Sequence, residues 1–236
     1  MLTNNAVSNE SRQSTNLSGS LFDHLSSEAT EDLVSLLHPS SYRAGAVLFT
    51  EKDPGQRVFV VLEGEVKLSM NSSDGRRLIL HIARKGEFVG VASVVAGQPY
   101  QTTAETLYPC KLASLSRNEF LSFLGRHPEV CQTVMEDLSR QFSMACEQLR
   151  TVGLSNSAPE KLARLLLDWS ENGQTTESGM RFRFSLTHSE IGEFIGTSRE
   201  TVTRTLSSFK SRHLVDFHGS MLTISNRSAL ESFARG

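Results

Sequence analysis

The chain has 236 residues and a formal net charge of −2, with 38% hydrophobic and 21% charged residues. These values are those of an ordinary globular protein, and the length suffices for two small domains, which we expect. No apolar run approaches the roughly 20 residues that a membrane helix needs, so we predict a soluble chain with no membrane partner. The three cysteines, Cys110, Cys131 and Cys146, show no CxxC spacing. Neither a disulfide framework nor a zinc finger is therefore indicated, and a reducing cytoplasm is the simplest location.

The two ends of the chain differ in character. The first twenty residues contain eleven Ser, Thr or Asn and no continuous apolar stretch, which predicts a flexible tail over residues 1–20. Residues 1–154 carry 14 basic and 17 acidic side chains (net −3), whereas residues 155–236 carry 10 and 9 (net +1). The weak asymmetry points to the C-terminal part as the one that meets an anion.

Residues 21–125 have the pattern of an antiparallel β unit. Glycines recur about every ten residues between short segments rich in β-branched and aromatic residues, at Gly45, Gly55, Gly64, Gly75 and Gly86. This spacing predicts successive hairpins. Leucines and an alanine at helical spacing predict a helix before them, at Leu21, Leu25, Ala29, Leu33 and Leu36 or Leu37. Pro39 should stop that helix.

Residues 126–154 predict a long helix and a hinge. Seven residues follow one another at spacings of 4, 3, 4, 3, 4 and 3, namely Cys131, Met135, Leu138, Phe142, Ala145, Leu149 and Val152. Three unbroken heptads favour a coiled-coil dimer helix, and the alternative is a helix lying on its own domain. Gly153 interrupts the pattern and Pro159 restarts a helix, so a domain boundary is expected between them.

Residues 155–236 predict a helix-turn-helix with a hairpin. Arg181–Leu186 alternates like a strand with one buried face. Thr187 and Glu190 form a capping box for a short helix that Gly196 can end, and Ser198 can cap a second helix to about Arg212. Four apolar residues should be the buried contacts of this motif: Ile191, Ile195, Val202 and Leu206. Two short apolar segments, Val215–Phe217 and Leu222–Ile224, predict a hairpin like a wing.

The second helix of this motif has the chemistry of a base-reading helix. Residues 197–212 hold four basic side chains against one acid, together with eight Ser or Thr. Arginine can donate two hydrogen bonds to guanine, and a glutamate can accept one from cytosine N4, which favours Arg199, Glu200 and Arg204 as base contacts. The alternative is a solvated amphipathic helix.

The run LTHSEIGEFIGTSRETVTRTLSSFKSRHLV, followed by DFHGSMLTI, closely resembles the winged helix of Crp/Fnr-family bacterial transcription regulators. The β-hairpins ending in GEFVG and the long helix match the rest of that architecture, so the resemblance covers residues 21–230. It implies an α+β protein with an N-terminal antiparallel β-roll, a jelly roll of the cyclic-nucleotide-binding type. A long dimerisation helix and a C-terminal winged helix-turn-helix follow the roll.

The resemblance also implies partners and contacts. We expect a homodimer on a near-palindromic double-stranded DNA site, with Arg199, Glu200 and Arg204 on a GTG-type half-site. RNA polymerase is an expected partner, through the loop Glu171–Gly179. Positions that match the family's phosphate contacts, together with neighbouring hydroxyls, are Thr187, His188, Ser198, Thr201, Thr203 and His218.

The effector site departs from the family pattern. Cyclic-nucleotide-binding members use a glutamate after the glycine of the F-x-G segment and an Arg-Ser pair for the cyclic phosphate. Here these positions hold Val91, Tyr100 and Gln101, and no arginine lies between Arg84 and Arg117. An unpaired buried phosphate is unfavourable, so we predict that the protein does not bind cyclic AMP in the family's usual way. The roll could instead bind another, uncharged or smaller effector, or a cyclic nucleotide in a different way, and so switch DNA binding. Residues that could line such a pocket are Phe88, Gly90, Val91, Tyr100, Gln101, Thr102 and Thr103. The alternative is a roll that has lost its ligand.

Other sensing chemistry finds little support in the sequence. Iron–sulfur members carry an N-terminal cysteine cluster, whereas the first cysteine here is Cys110, so no such cofactor is expected. Of the seven histidines, His81 is the candidate to test for haem ligation. No nucleophile elbow, phosphate-binding glycine loop or metal-spaced histidine pair suggests an enzyme. A ligand-sensing module that controls a protein partner is a second class, which the winged helix argues against.

Overall fold

The computed structural model describes residues 25–154, 157–171 and 173–234. The predicted tail over residues 1–20 lies outside the described residues, as do Leu21 and His24. The described chain divides into two compact units, one of residues 25–68 and 81–141 and the other of residues 69–80 and 142–234. The second unit therefore contains the tip of one hairpin as well as the C-terminal part of the chain.

Two four-stranded antiparallel sheets form the roll, in the orders β1-β8-β3-β6 and β2-β7-β4-β5. Their strands are β1 (His38–Tyr42), β2 (Val47–Phe49), β3 (Arg57–Glu63), β4 (Val66–Asn71), β5 (Arg77–Ala83), β6 (Phe88–Val89), β7 (Thr103–Thr106) and β8 (Cys110–Ser116). β3 is central and buried at five consecutive positions, which is why its sequence is a continuous apolar run. The predicted antiparallel strands are present, but the prediction of successive hairpins is wrong. Of the consecutive strands described in the roll, only β4 and β5 are neighbours, whereas β3 and β4 lie in different sheets.

Four helices accompany or follow the strands of the roll: α1 (Ser27–Leu36), α2 (Val91–Ala96), α3 (Arg117–Arg126) and α4 (Pro128–Gly153). The Ser26 hydroxyl accepts a hydrogen bond from the amide of Ala29 and so caps α1, which ends before Pro39 as predicted. The core of this unit combines Leu33 of α1, Phe120 of α3 and the start of α4 with the apolar strand residues.

The C-terminal part contains α5 (Ala158–Ser170), β9 (Gln174–Thr176), β10 (Gly179–Arg183), α6 (His188–Ile195), α7 (Arg199–Ser211), β11 (Val215–His218), β12 (Met221–Ile224) and α8 (Arg227–Ala234). Its sheet has the order β11-β12-β10-β9, and β11 and β12 are the predicted wing. Ile191, Ile195, Val202 and Leu206 are all buried, as predicted.

One predicted strand is wrong in its bounds. The strand expected over Arg181–Leu186 is β10, which covers Gly179–Arg183. Phe184 and Leu186 are buried, as the alternation indicated. The backbone amide of Phe184, however, donates to the carbonyl of Ser220 in the wing turn, and the regular ladder to β12 ends at Arg183.

Candidate functional site

The helix-turn-helix is formed by local interactions that its sequence specifies. The Thr187 hydroxyl accepts a hydrogen bond from the amide of Glu190, and the Glu190 carboxylate accepts one from the amide of Thr187. Gly196 ends α6 at φ +65°, a left-handed conformation that glycine adopts without strain. Ser198 then caps α7 through the amide of Thr201. Two capped helices joined by one left-handed glycine hold α7 at a fixed angle to α6.

α7 presents its charged residues on one face. Val202, Leu206 and Phe209 are buried against the unit, whereas Arg199, Glu200 and Arg204 are exposed. The three predicted base contacts therefore lie together on the outer side of a rigid helix. This is the arrangement that a helix entering a major groove needs.

The contacts of Glu200 favour the ionised form of its carboxyl group. Hydrogen bonds from its own backbone amide and from the Ser198 side chain lower the pKa of Glu200, and the charges of Arg199 and Arg204 act in the same direction. The carboxylate is thus ionised and can only accept hydrogen bonds, as contact with an amino group requires. One guanidinium nitrogen of Arg204 lies 3.2 Å from the Thr201 hydroxyl, which holds the side chain along the helix.

His188 is held against α7 by a chain of hydrogen bonds. The Thr203 hydroxyl donates to the carbonyl of Arg199 at 2.9 Å, and His188 Nδ1 lies 2.8 Å from the same hydroxyl oxygen. These contacts hold the imidazole against the N-terminal part of α7.

The other predicted phosphate contacts are also partly engaged. The Thr187 hydroxyl donates to the Glu190 carboxylate, and the Ser198 hydroxyl oxygen lies 3.1 Å from that of Thr201. Both side chains are exposed, so each oxygen remains accessible.

The wing carries a small cluster of charges. His218 Nε2 lies 3.0 Å from the carboxylate of Asp216, and Lys210 of α7 lies 4.0 Å from it. The backbone amide of Phe217 is the main cause that lowers the pKa of Asp216, and His218 and Lys210 contribute. A cleft of about 330 Å³ lies between α6, α7 and the wing, and Thr187, His188, Gly219 and Ser220 line it. The structure thus brings the predicted contacts of α6 next to the wing.

α4 distributes its apolar residues in an unusual way. Met135, Phe142 and Leu149, spaced seven residues apart, are 60%, 72% and 64% exposed. Cys131, Leu138, Ala145 and Val152, the other four members of the predicted seam, are half-buried. The opposite side is buried and holds Val130 and Val134 as well as the polar Thr133, Asp137 and Gln148. α4 thus has an exposed apolar stripe in addition to its buried side, whereas a helix that only lies on its own domain exposes polar residues.

The interior of the roll is filled by Tyr100. The rings of Tyr100 and Phe49 stack with their centroids 3.7 Å apart. The Tyr100 hydroxyl donates to the carbonyl of Arg57 at 2.6 Å and accepts from the amide of the same residue at 2.9 Å. Gly90, at φ +89°, is close enough that an added Cβ would lie 3.0 Å from the Tyr100 ring. The Tyr100 hydroxyl is thus not free for a ligand.

The remaining candidate pocket residues are dispersed. Phe88 and Val91 are buried in the hydrophobic core, and the hydroxyl of the buried Thr103 accepts from the amide of Glu51. Thr102 is half-buried and Gln101 is exposed. The structure does not bring these side chains together as a set of ligand donors. The Arg57 guanidinium donates to the Ser114 hydroxyl.

The cysteines and histidines have other contacts. Cys110 is buried beside the carbonyls of Glu65 and Tyr108, and Cys131 and Cys146 are half-buried free thiols. His81 Nε2 lies 2.6 Å from the Glu87 carboxylate. No group of three or more His, Cys, Asp or Glu is placed to hold a metal ion within the described residues. Nor does any described helix have both the length and the apolarity to cross a membrane.

Sequence reasoning missed three residues of these sites. Phe49 and Arg57 complete the interior around Tyr100, and no sequence signal joins positions so far apart. Gln148 is a buried amide on α4. Its signal was a polar residue that recurs one heptad after Gln141, on the side of the helix opposite the apolar seam.

The comparisons with known proteins agree with this architecture. A model of cyclic nucleotide-binding domains matches residues 39–127, and a model of Crp-like helix-turn-helix domains matches residues 160–233. The chain is 27% identical over 216 residues to a CRP-like cAMP-activated global transcriptional regulator of Mycobacterium tuberculosis, covering 91% of this chain and 96% of that protein. It is also 27% identical over 198 residues to the global nitrogen regulator of Synechococcus elongatus, covering 82% of this chain and 88% of that protein.

Solved structures show the same fold. The structure of FixK2 from Bradyrhizobium japonicum superposes with a TM-score of 0.75 at 23% identity, covering 84% of this chain and 96% of that one. A β-roll, a long helix and a winged helix-turn-helix in this order define a DNA-binding regulator of transcription. The chain belongs to the Crp/Fnr family of these regulators. That family consists of transcription regulators and not of enzymes.

Proposed function

We propose that the protein is a cytoplasmic, sequence-specific regulator that binds a near-palindromic DNA site as a homodimer. The observation that carries this proposal is the outer face of α7, where Arg199, Glu200 and Arg204 are exposed on a helix anchored by its buried side. In the proposal, residues 21–125 are an effector-type roll, residues 126–154 the dimer helix and hinge, and residues 155–236 the DNA-binding domain.

The homodimer is supported by the exposed stripe of α4. Three large apolar side chains at heptad spacing, Met135, Phe142 and Leu149, face solvent in the single chain. Pairing with the same stripe of a second copy would remove them from water, at about 25 cal/mol per Å² of apolar surface. Two symmetry-related α7 helices in a dimer would also match a DNA site whose two halves are related by a two-fold axis.

Specificity would come from the base contacts and affinity from the phosphates. Arg199 and Arg204 can each donate two hydrogen bonds to a guanine, and the ionised Glu200 can accept one from a cytosine. Contacts to the DNA phosphates are proposed for the two helix-capping residues and for neighbouring polar side chains. These residues are Thr187, Ser198, His188, Thr201, Thr203 and His218.

We propose that cyclic AMP does not control the protein in the family's usual way. The buried stack of Tyr100 on Phe49 occupies the place where an arginine would meet the cyclic phosphate, and its hydroxyl is bound by Arg57. RNA polymerase is the proposed protein partner, through the loop that follows α5.

Fluorescence anisotropy of the purified chain with a palindromic TGTGA-type duplex tests the proposal. The scrambled duplex is the control, and two salt concentrations separate phosphate contacts from base contacts. Selective binding without nucleotide, unchanged by cyclic AMP, is expected. The M. tuberculosis relative, named as cAMP-activated, is the positive control for the nucleotide. Binding that requires cyclic AMP would overturn the proposal for the roll, and an absence of selectivity would overturn the half-site.

A further inference from the structure

Gln148 lies at the junction of three segments of the second unit. Its side chain, on the C-terminal part of α4, is 6% exposed. The amide nitrogen donates to the carbonyl of Ile79 in β5 at 2.9 Å and to the carbonyl of Phe194 in α6 at 2.5 Å. A carboxamide has two N–H donors, and both are therefore used on main-chain acceptors.

Both acceptors are carbonyls that secondary structure leaves open. Phe194 lies in the last turn of α6, where carbonyls have no amide four residues on to pair with. Ile79 lies on β5, the edge strand of its sheet, and the residue is fully buried. Without Gln148 the buried carbonyl of Ile79 and the partly buried carbonyl of Phe194 would each lose this donor.

The contact continues one turn further along α4. A Cβ added to Gly196 would lie 2.9 Å from a methyl carbon of Val152, so the turn of the helix-turn-helix sits directly on this helix. The carbonyl of Val152 in turn accepts from the Lys161 ammonium at 2.8 Å. Residues 148–152 of α4 thus support the end of α6 and the turn that leads into α7.

We infer that Gln148 is a positioning residue, which fixes the DNA-reading helix pair to the part of α4 that carries Phe142 and Leu149. The inference rests on the proposed function and goes beyond it. In a dimer built on the exposed stripe of α4, this tie sets the distance between the two α7 helices. Its loss should therefore relax the preference for half-site spacing, although Gln148 touches neither DNA nor the stripe.

Three substitutions of Gln148 distinguish the loss of its hydrogen-bond donors from a change in the shape of its side chain. Gln148→Met keeps the length without a donor, Gln148→Glu offers only acceptors to two carbonyls, and Gln148→Lys restores N–H donors. Gln141 is the matched control, because it lies one heptad earlier and donates to Asp137 of its own helix. The same three substitutions there change composition and charge equally.

The measurement is anisotropy with three duplexes, the palindrome and versions whose centre is one base pair longer or shorter. The wild-type protein should bind one of the three duplexes, and therefore one half-site spacing, more tightly than the other two. Gln148→Met should lose about tenfold in affinity for that duplex and less than about threefold for the others, and Gln148→Glu should lose more. Gln148→Lys should recover the spacing preference, judged against Gln141→Lys for the effect of added charge.

Two results would overturn the inference. One is a Gln148 series that behaves like the Gln141 series. The other is an equal loss on all three duplexes with reduced helical circular dichroism, because this indicates unfolding and not lost positioning. A wild type that does not distinguish the palindrome from scrambled DNA would instead refute the proposed function, so the two failures are distinguishable.

Discussion

Tyr100 and Phe49 lie face to face inside the roll, with ring centroids 3.7 Å apart and planes inclined by 12°. Burial raises the pKa of the Tyr100 phenol, which therefore stays protonated and donates to the carbonyl of Arg57. An internal side chain thus supplies both the packing and the hydrogen bonds of this interior.

Removal of the Tyr100 hydroxyl should therefore destabilise the roll. In Tyr100→Phe, the amide and carbonyl of Arg57 lose their hydrogen-bond partner, which should lower the free energy of unfolding by about 1–3 kcal/mol. Urea denaturation measures the free energy of unfolding. Tyr42→Phe, at a half-buried tyrosine, is the control and should change it by less than about 0.5 kcal/mol. Equal effects of the two variants would contradict the role assigned to the hydroxyl.

Arg204→Ala tests the base contacts of α7. A lost guanine contact should weaken binding to the palindromic duplex by about 1–3 kcal/mol and relax preference at one base pair of each half-site. The exposed Arg212, beyond the end of α7, serves as the matched arginine control. Competition with duplexes that carry every base at each position measures the preference. An unchanged preference after Arg204→Ala would exclude this helix as the reader.

Phe142→Glu should convert the dimer into a monomer. The side chain is 72% exposed in the single chain, so the substitution leaves the monomer fold intact but places two buried charges in the proposed interface. Sedimentation velocity gives the mass of the particle. Val47→Glu, at an exposed apolar residue of β2, is the control and should remain a dimer. If Phe142→Glu still sedimented as a dimer, the α4 stripe would not be the interface.

Cys110 should be inert in the folded protein. Burial raises the pKa of its thiol, which lowers the thiolate fraction at any given pH, and only the thiolate reacts with iodoacetamide. Mass spectrometry after alkylation at about pH 8 should find Cys110 unmodified in the native protein and modified in urea. The half-buried Cys131 and Cys146 provide the internal comparison. Rapid native labelling of Cys110 would contradict the protection of its thiol by burial.

The parts of the fold that the sequence predicted depend on neighbouring residues. The cap at Thr187, the left-handed Gly196 and the end of α4 at Gly153 are decided within one helical turn, and all are confirmed. β10 ends earlier than the alternation indicated, because the Phe184 amide donates to a distant carbonyl, that of Ser220.

Contacts between distant segments account for what the sequence did not reveal. Tyr100 is bound by a residue 43 positions away, and the acceptors of Gln148 lie 69 and 46 positions away. Periodicity showed which face of α4 is apolar. It could not show that the other side, with Asp137 and Gln148, is the buried one, because that depends on what packs against it.

The exposed apolar stripe of α4 has a consequence for the amount of protein in the cell. A chain that buries the other side of this helix within its own fold leaves the stripe for a second copy, and pairing then obeys mass action. Below the concentration at which half the chains are paired, a tenfold rise in total protein gives about a hundredfold rise in dimer. Promoter occupancy would then rise steeply with the expression level of the gene, without any small molecule.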